Sequence, residues 1–210
     1  MLQPTELFRG QEALMVNGAP STTEVSENWM PLFVDKLLTK HGNAVQAILL
    51  YGSYTRGERD TVLDFYVLLE HYDSALKSNY HRFANYLLPP NVYHLRIQDG
   101  QEHRTAKYAT ITVGQFEKGI YRSFHSYFWA RFAQPVKILY ISDSLSCDRL
   151  AKAFRKAIQR MIDATLPTLD AEFTTEELWV RALTLTYGCE LRSEKQSKAK
   201  ELFDAYGAQL

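Results

Sequence analysis

Two short apolar runs constrain this chain most: residues 44–51 (AVQAILLY) and 62–69 (VLDFYVLL), separated by the polar, glycine-rich GSYTRGERDT. Each run is strand-sized and apolar, and Gly42 and Gly52 bound the first, so both read as buried strands. The connection between them is too polar and too rich in glycine for a regular element. A third strand is expected over 92–97. The Asp99-Gly100 turn then leads into a partner over 107–113 (KYATITV), which makes a hairpin. A further strand is expected over 136–141 (VKILYI).

Helical spacing accompanies these strands. Trp29, Leu32, Phe33 and Leu37 share one side of a helix over 24–41, which Gly42 stops and Pro31 splits or delays. Residues 73–88 read as a helix closed by Pro89 and Pro90, and 116–132 as another. From Asp143 onward the chain reads as helices over 145–161, 174–191 and 194–206, with Pro167 breaking the first from the second. The expected fold is α+β: a mixed sheet with flanking helices over 1–142, followed by a helical C-terminal region over 143–210. With 46% hydrophobic residues, 210 residues suffice for a sizeable core.

Charge narrows the function. Lys plus Arg number 24 and Asp plus Glu number 24, so no basic excess favours non-specific nucleic-acid binding. No nucleic-acid partner is expected. The two cysteines, Cys147 and Cys189, offer neither a disulfide framework nor zinc-ligand spacing. No stretch approaches the roughly 18–20 apolar residues that span a bilayer. The first residues, with Glu6 and Glu12 and no continuous apolar run, read as neither a secretory nor a transit signal. A cytoplasmic protein is expected.

The chemistry concentrates in 49–70. Gly52 and Ser53 directly follow one buried strand, and Asp64 lies near the start of the next. Glycine lets a backbone approach an anion closely, and the amides beyond it, with the Ser53 hydroxyl, suit phosphate oxygens. A carboxylate on a rigid strand beside them suits a divalent metal that neutralises those phosphates. The plain alternative is a turn followed by a strand with an incidental aspartate. The arrangement resembles the polymerase-beta-like nucleotidyltransferase superfamily, whose signature is a hydrophobic residue, Gly and Gly or Ser, then two carboxylates two apart on a strand. Here Asp64 holds the first carboxylate position and Tyr66 the second.

A closer likeness extends over most of the chain. YGS at 51–53 and LDF at 63–65 resemble motifs of the mitochondrial-type CDP-diacylglycerol synthases, the phosphatidate cytidylyltransferases named for translocator assembly and maintenance. That family too typically lacks the second carboxylate. KYATI at 107–111, FWARFAQPVKIL at 128–139, FTTEELWVRALTLTYGCELR at 173–192 and KELFDAYGAQL at 200–210 resemble further segments of it. Departures include Tyr54 where the family has Gly, Gln134 where it has Lys, and Cys189-Glu190 where it has Gly-Asp.

The resemblance implies a nucleotidyltransferase-like sheet and a Mg²⁺-dependent reaction. The phosphate of phosphatidic acid attacks the α-phosphorus of CTP, and pyrophosphate leaves. It implies Asp64 as the Mg²⁺ ligand and catalytic carboxylate and Lys107 as a catalytic cation. Gly52, Ser53, Arg131 and Lys137 would bind the nucleotide. Beside each stands an ordinary reading: a strand-edge charge, a turn, a surface lysine, a salt bridge. Glu58, Glu70, Arg56 and Arg59 could assist but equally read as solvated surface. Tyr51, Tyr108 and Tyr187 read as packing rather than as a stacking platform for cytosine. The lipid acceptor implies docking at the inner face of a membrane. The last helix, with Leu202, Phe203, Tyr206 and Leu210 near Lys195, Lys198 and Lys200, is either an interfacial anchor or packed on the protein itself. The rivals are a related enzyme with another acceptor and a non-catalytic nucleotide-binding regulator.

Overall fold

The computed structural model describes residues 29–58, 61–72, 91–100, 102–124, 126–142, 144–188 and 204. The helices expected over 73–88 and 194–206, the start of the helix expected from residue 24, and Arg59 lie outside the described residues. The described residues are α+β, with a five-stranded mixed sheet and flanking helices. They fall into two compact units. One holds the described residues up to Glu117 together with Val136–Arg149; the other holds Lys118–Pro135 and the described residues from Leu150 onward.

The first unit contains the sheet. Helix α1, Met30–His41, carries Pro31 in its first turn, where a missing N–H removes no intrahelical bond. Gly42, at φ 60°, ends it and donates its N–H to Leu38 O. The strands are β1 (Val45–Tyr51), β2 (Leu63–Leu69), β3 (Asn91–Asp99), β4 (Glu102–Thr112) and β5 (Lys137–Ile141). Their order is β3-β4-β2-β1-β5, with β2 and β4 parallel and the other neighbours antiparallel. The two apolar runs are thus adjacent inner strands, and β2 is buried on both faces except at Asp64. The Asp99-Gly100 hairpin forms, with Gly100 at φ 61°. Strand β4 is longer than its apolar part, because pairing with β3 carries it back through polar residues to Glu102.

One face of the sheet packs on α1. Phe33 and Leu37 are fully buried against a cluster that includes Ile48, Leu50, Phe65, Val67 and Tyr108. Phe33 meets Phe65 with ring centroids 5.6 Å apart. Two phenols of this unit carry a measurable signature. Burial pushes Tyr72 up to about 12, and burial, helped by Tyr93, raises Tyr108 as well. Tyr72 donates to Gln115 Oε1 at 2.6 Å. In the unfolded chain both would ionise near 10. The stabilisation is therefore complete below pH ~10 and is lost as pH rises from there toward the folded values. A phenolate absorbance titration should show part of the 13 tyrosines ionising only as the protein unfolds. Tyr72→Phe should reduce the alkaline loss of stability. Ionisation of every tyrosine near pH ~10 with the fold intact would contradict this assignment.

The remaining helices begin with α2, Val113–Arg122. Thr112 and Gln115 cap it reciprocally: the Gln115 N–H donates to Thr112 Oγ1 at 3.2 Å, and the Thr112 N–H to Gln115 Oε1 at 3.3 Å. The single helix expected over 116–132 is two, α2 and α3 (Ser126–Phe132). The break has a cause far away in sequence. Arg160 donates to Ile120 O at 2.6 Å and to Ser123 O at 2.5 Å, so the carbonyls at the end of α2 find a guanidinium. Gly119 then allows a close crossing, since a Cβ there would lie 2.6 Å from the Phe128 ring.

Arg160 belongs to α4, Ser144–Thr165, which buries Leu150, Ala153, Phe154, Ala157, Ile158 and Met161 along one face. Pro167 lies in a single 3-10 turn, Leu166–Thr168, that separates α4 from α5, Thr175–Gly188. A second capping box starts α5, with the Thr174 N–H donating to Glu177 Oε2 at 2.7 Å and the Glu177 N–H to Thr174 Oγ1 at 3.2 Å. No helix among the described residues is long and apolar enough to cross a membrane.

Candidate functional site

Strand register assembles the site. Tyr51 pairs with Asp64 across β1 and β2, Asp64 with Lys107 across β2 and β4, and Lys107 with His94 across β4 and β3. Paired residues project to the same side of a sheet, so Tyr51, Asp64, Lys107 and His94 form one row across four strands. This face is opposite the one that packs on α1, where Leu50, Phe65 and Tyr108 lie. Asp64 is half-buried and Lys107 exposed. The row therefore juxtaposes an acid and a base on neighbouring inner strands.

Directly beside Asp64 the chain leaves β1. Gly52 has φ 87° and ψ −158°, a conformation essentially reserved for glycine. A Cβ built on it would stand 3.2 Å from Asp64 Oδ2. The backbone thus passes close to the carboxylate; the dihedrals favour glycine, and a Cβ there would crowd Asp64, which would have to give by a few tenths of an ångström. A 3-10 turn, Ser53–Arg56, follows. Thr55 donates its hydroxyl to Gly52 O at 2.7 Å, and the Gly57 N–H donates to Tyr54 O at 3.2 Å. Ser53 Oγ and Thr61 Oγ1 lie 2.7 Å apart and tie the exit of β1 to the approach to β2. One hydroxyl proton serves that bond, which leaves the pair a second O–H with which to donate.

Tyr54, where the resembled family has glycine, is buried and meets Trp29 edge-on with centroids 5.8 Å apart. Trp29 in turn packs on Phe33 of α1 at 6.0 Å. The loop is therefore anchored to the helix through an aromatic chain, and its backbone is held by its own hydrogen bonds. Such a preorganised turn is what close recognition of a charged group needs.

Tyr66, at the second carboxylate position of the generic signature, is buried, and its ring lies 5.1 Å from that of Tyr51. The two rings pack together on the face that carries Asp64. This agrees with packing as the role of Tyr51. Tyr108 is likewise packed: it stacks on Tyr93 at 5.2 Å on the opposite face, and Lys40 donates to its hydroxyl. The side chain of Tyr187 lies outside the described residues.

The other expected binding residues are distributed differently. Lys137 pairs with Leu50, which places it on the α1 side of the sheet, away from the Asp64 row. It is exposed at the start of the edge strand β5. Arg131 lies in α3, in the other compact unit. Glu58 and Glu70 are exposed. Gly52, Ser53, Asp64 and Lys107 are thus the four expected residues that the sheet brings together. Thr61 and His94 join them without having been singled out from the sequence. Hairpin arithmetic could have found His94, because a turn that sets Asp99 opposite Glu102 also sets His94 opposite Lys107.

Among the described residues no three His, Cys, Asp or Glu side chains gather to hold a metal ion. Mg²⁺ commonly takes one or two carboxylates and fills its shell with waters and substrate phosphates. Asp64 beside the Gly52 backbone fits that mode. No protein-family model matches the chain, and no curated protein matches it.

Proposed function

We propose that this protein is a Mg²⁺-dependent nucleotidyltransferase that moves CMP from CTP to phosphatidic acid, giving CDP-diacylglycerol and pyrophosphate. One observation supports the reading: the glycine turn after β1 passes beside the carboxylate near the start of β2, so that a Cβ on Gly52 would stand 3.2 Å from Asp64 Oδ2. The motif resemblance supplies the nucleotide, the lipid and the nucleotidyltransferase-like topology. The cytoplasmic, membrane-peripheral setting follows from the acceptor, which resides in a bilayer.

In this reading Asp64 holds Mg²⁺, which neutralises triphosphate charge when bound. The backbone at Gly52 and Ser53, with the spare hydroxyl proton of the Ser53–Thr61 pair, orients the triphosphate. Lys107, one strand from Asp64, places a compact positive charge beside the phosphates. A phosphate oxygen of phosphatidic acid forms the new bond to the α-phosphorus, and the bond to the bridging oxygen breaks with its electrons leaving on pyrophosphate. The nucleophile is already ionised near pH ~7, since a phosphate monoester's second pKa lies near ~6. A general base is unnecessary, which accords with a site holding one carboxylate. Positioning and electrostatics then carry the catalysis.

The test is pyrophosphate release from CTP and Mg²⁺ with phosphatidic acid in detergent micelles, alongside Asp64→Asn. Lipid-dependent release should fall by about 10³-fold or more in the variant, because charge neutralisation at the phosphates is lost. CTP binding without lipid-dependent release would transfer the reading to another acceptor. Loss of CTP binding in the unaltered protein would favour a non-catalytic role, the reading to which Tyr66 in place of a second carboxylate lends support.

A further inference from the structure

Positive charge gathers on the outer wing of the sheet, beyond Lys107. Strands β3 and β4 are neighbours at one edge of the sheet. On the side that carries Asp64, β3 presents His94 and Arg96, and β4 presents His103 and Lys107, all four exposed. His94 lies directly opposite Lys107, and Arg96, opposite Thr105, is diagonal to both Lys107 and His103. Opposed residues of an antiparallel pair stand about 5 Å apart at Cβ and diagonal ones about 7–8 Å, so the four form one connected cluster. Like charges set so close repel one another. The whole chain is electrically balanced, with 24 basic and 24 acidic residues, yet among the described residues no carboxylate pairs with any of these four. Among the described residues Asp64 is the single acid that the ladders place on this side of β2, β3 and β4. An anion from outside the chain is what such a cluster lacks.

The order of the row says which anion. From β1 outward it runs Tyr51, Asp64, Lys107, His94. The glycine turn assigned to the triphosphate leaves β1 at the Tyr51 end. In-line transfer sets the attacking and leaving oxygens on opposite sides of the phosphorus. With pyrophosphate held toward the β1 turn, the attacking group approaches from the side of β4 and β3, where the cluster lies. Two inter-strand steps, roughly 10 Å, separate the strand of Asp64 from that of His94. The planar fork of Arg96 suits two oxygens of one phosphate, and protonated imidazoles can donate to the others. Thr105, partly buried opposite Arg96, adds a hydroxyl. The backbone beneath Arg96 is also fixed, because Lys36 of α1 donates to Arg96 O at 2.7 Å.

We infer that His94, Arg96 and His103 form the subsite that binds the acceptor through a phosphate monoester, with Lys107 between this subsite and the α-phosphorus. The inference rests on the nucleotidyltransferase reading for its role, but the binding can be measured without CTP or metal. Glycerol 3-phosphate is the probe, titrated into the unaltered protein while the histidine ring C–H resonances are followed. His94→Gln and His103→Gln assign those signals, and both signals should move saturably. Arg96→Gln should bind about tenfold more weakly, the usual loss for one charge-assisted hydrogen bond, and Arg96→Lys should keep part of the affinity. Asp64→Asn should bind at least as tightly as the unaltered protein. Arg122→Gln, which removes an exposed cation of α2, should change nothing. Thermal melting should be the same throughout, since every altered side chain on the wing is exposed.

Turnover supplies the second readout. With phosphatidic acid in micelles, Arg96→Gln should raise KM for the lipid about tenfold and leave KM for CTP nearly unchanged. Glycerol 3-phosphate that competes with the lipid would identify the headgroup as the bound group; glycerol 3-phosphate that itself supports pyrophosphate release would make a soluble monoester the acceptor. Unmoved His94 and His103 signals, equal binding by Arg96→Gln, or a rise in KM for CTP instead of the acceptor would overturn the inference. So would binding of an oligonucleotide through these residues without any response to glycerol 3-phosphate, which would assign the wing to nucleic acid. Pyrophosphate release with no phosphate binding on the wing removes the subsite alone. Phosphate binding there with no release on either acceptor keeps the subsite and removes the transfer reaction.

Discussion

Gly52→Ala should destabilise the protein by on the order of 3 kcal/mol and reduce pyrophosphate release by at least ~100-fold. Two costs coincide at this position. Its dihedrals, φ 87° and ψ −158°, are closed to residues with a Cβ. The new methyl would also stand 3.2 Å from Asp64 Oδ2, so the carboxylate or the loop must shift. Gly57 separates these costs. It too has a positive φ, 91°, but nothing lies within 4 Å of where its Cβ would be. Gly57→Ala should cost about 1–2 kcal/mol from the left-handed conformation alone and leave turnover within a few-fold. Chemical unfolding gives the first quantity for each variant. Release rates, measured where circular dichroism shows both variants folded, give the second. Equal turnover by the two variants would mean that the approach of Gly52 to Asp64 has no part in activity.

The contrast also shows where the sequence was informative. The apolar runs 44–51 and 62–69 announced β1 and β2 to within one residue, because each is short, buried and bounded by turn-forming residues. The neighbourhood of Gly52 and Asp64 followed from the same local facts: the two strands are adjacent in sequence and their connection is brief. Information failed where distant chain decides. The break between α2 and α3 depends on Arg160, about 40 residues from the carbonyls it binds, and helical periodicity over 116–132 contains no trace of it. The parallel pairing of β2 with β4, which brings Lys107 to Asp64, is likewise non-local. Tyr54 was legible only as a departure from a family motif, and its burial against Trp29 turns the departure into an anchor. Lys137 lay in a segment that resembled a phosphate-binding stretch, yet face is a matter of register, and Leu50 opposite it belongs to the α1 side.

That difference of face makes a second large effect available. Lys107→Met should lower lipid-dependent pyrophosphate release by about 10²- to 10³-fold, the usual consequence of removing one positioned electrostatic group from a phosphoryl-transfer site. Lys137→Met should change it by no more than a few-fold. Both lysines are exposed and both sit in strands, so removal of a surface charge affects the fold about equally little in each. What distinguishes them is the ladder. Lys107 pairs with Asp64 on an inner strand, and Lys137 pairs with Leu50 on an edge strand whose residue projects to the other side of the sheet. In the proposed reaction, a cation would stabilise charge developing at the α-phosphorus only from the side of the sheet that carries Asp64. The loss in Lys107→Met should therefore appear in kcat rather than in lipid affinity, and Lys107→Arg should restore part of it, since the charge returns with a different shape. A large loss in Lys137→Met with Lys107→Met nearly unaffected would move the reaction to the other face of the sheet and detach it from Asp64. A large loss in Lys107→Met that resides wholly in KM would leave the row intact but make Lys107 a binding group, acting equally on the ground state and the transition state.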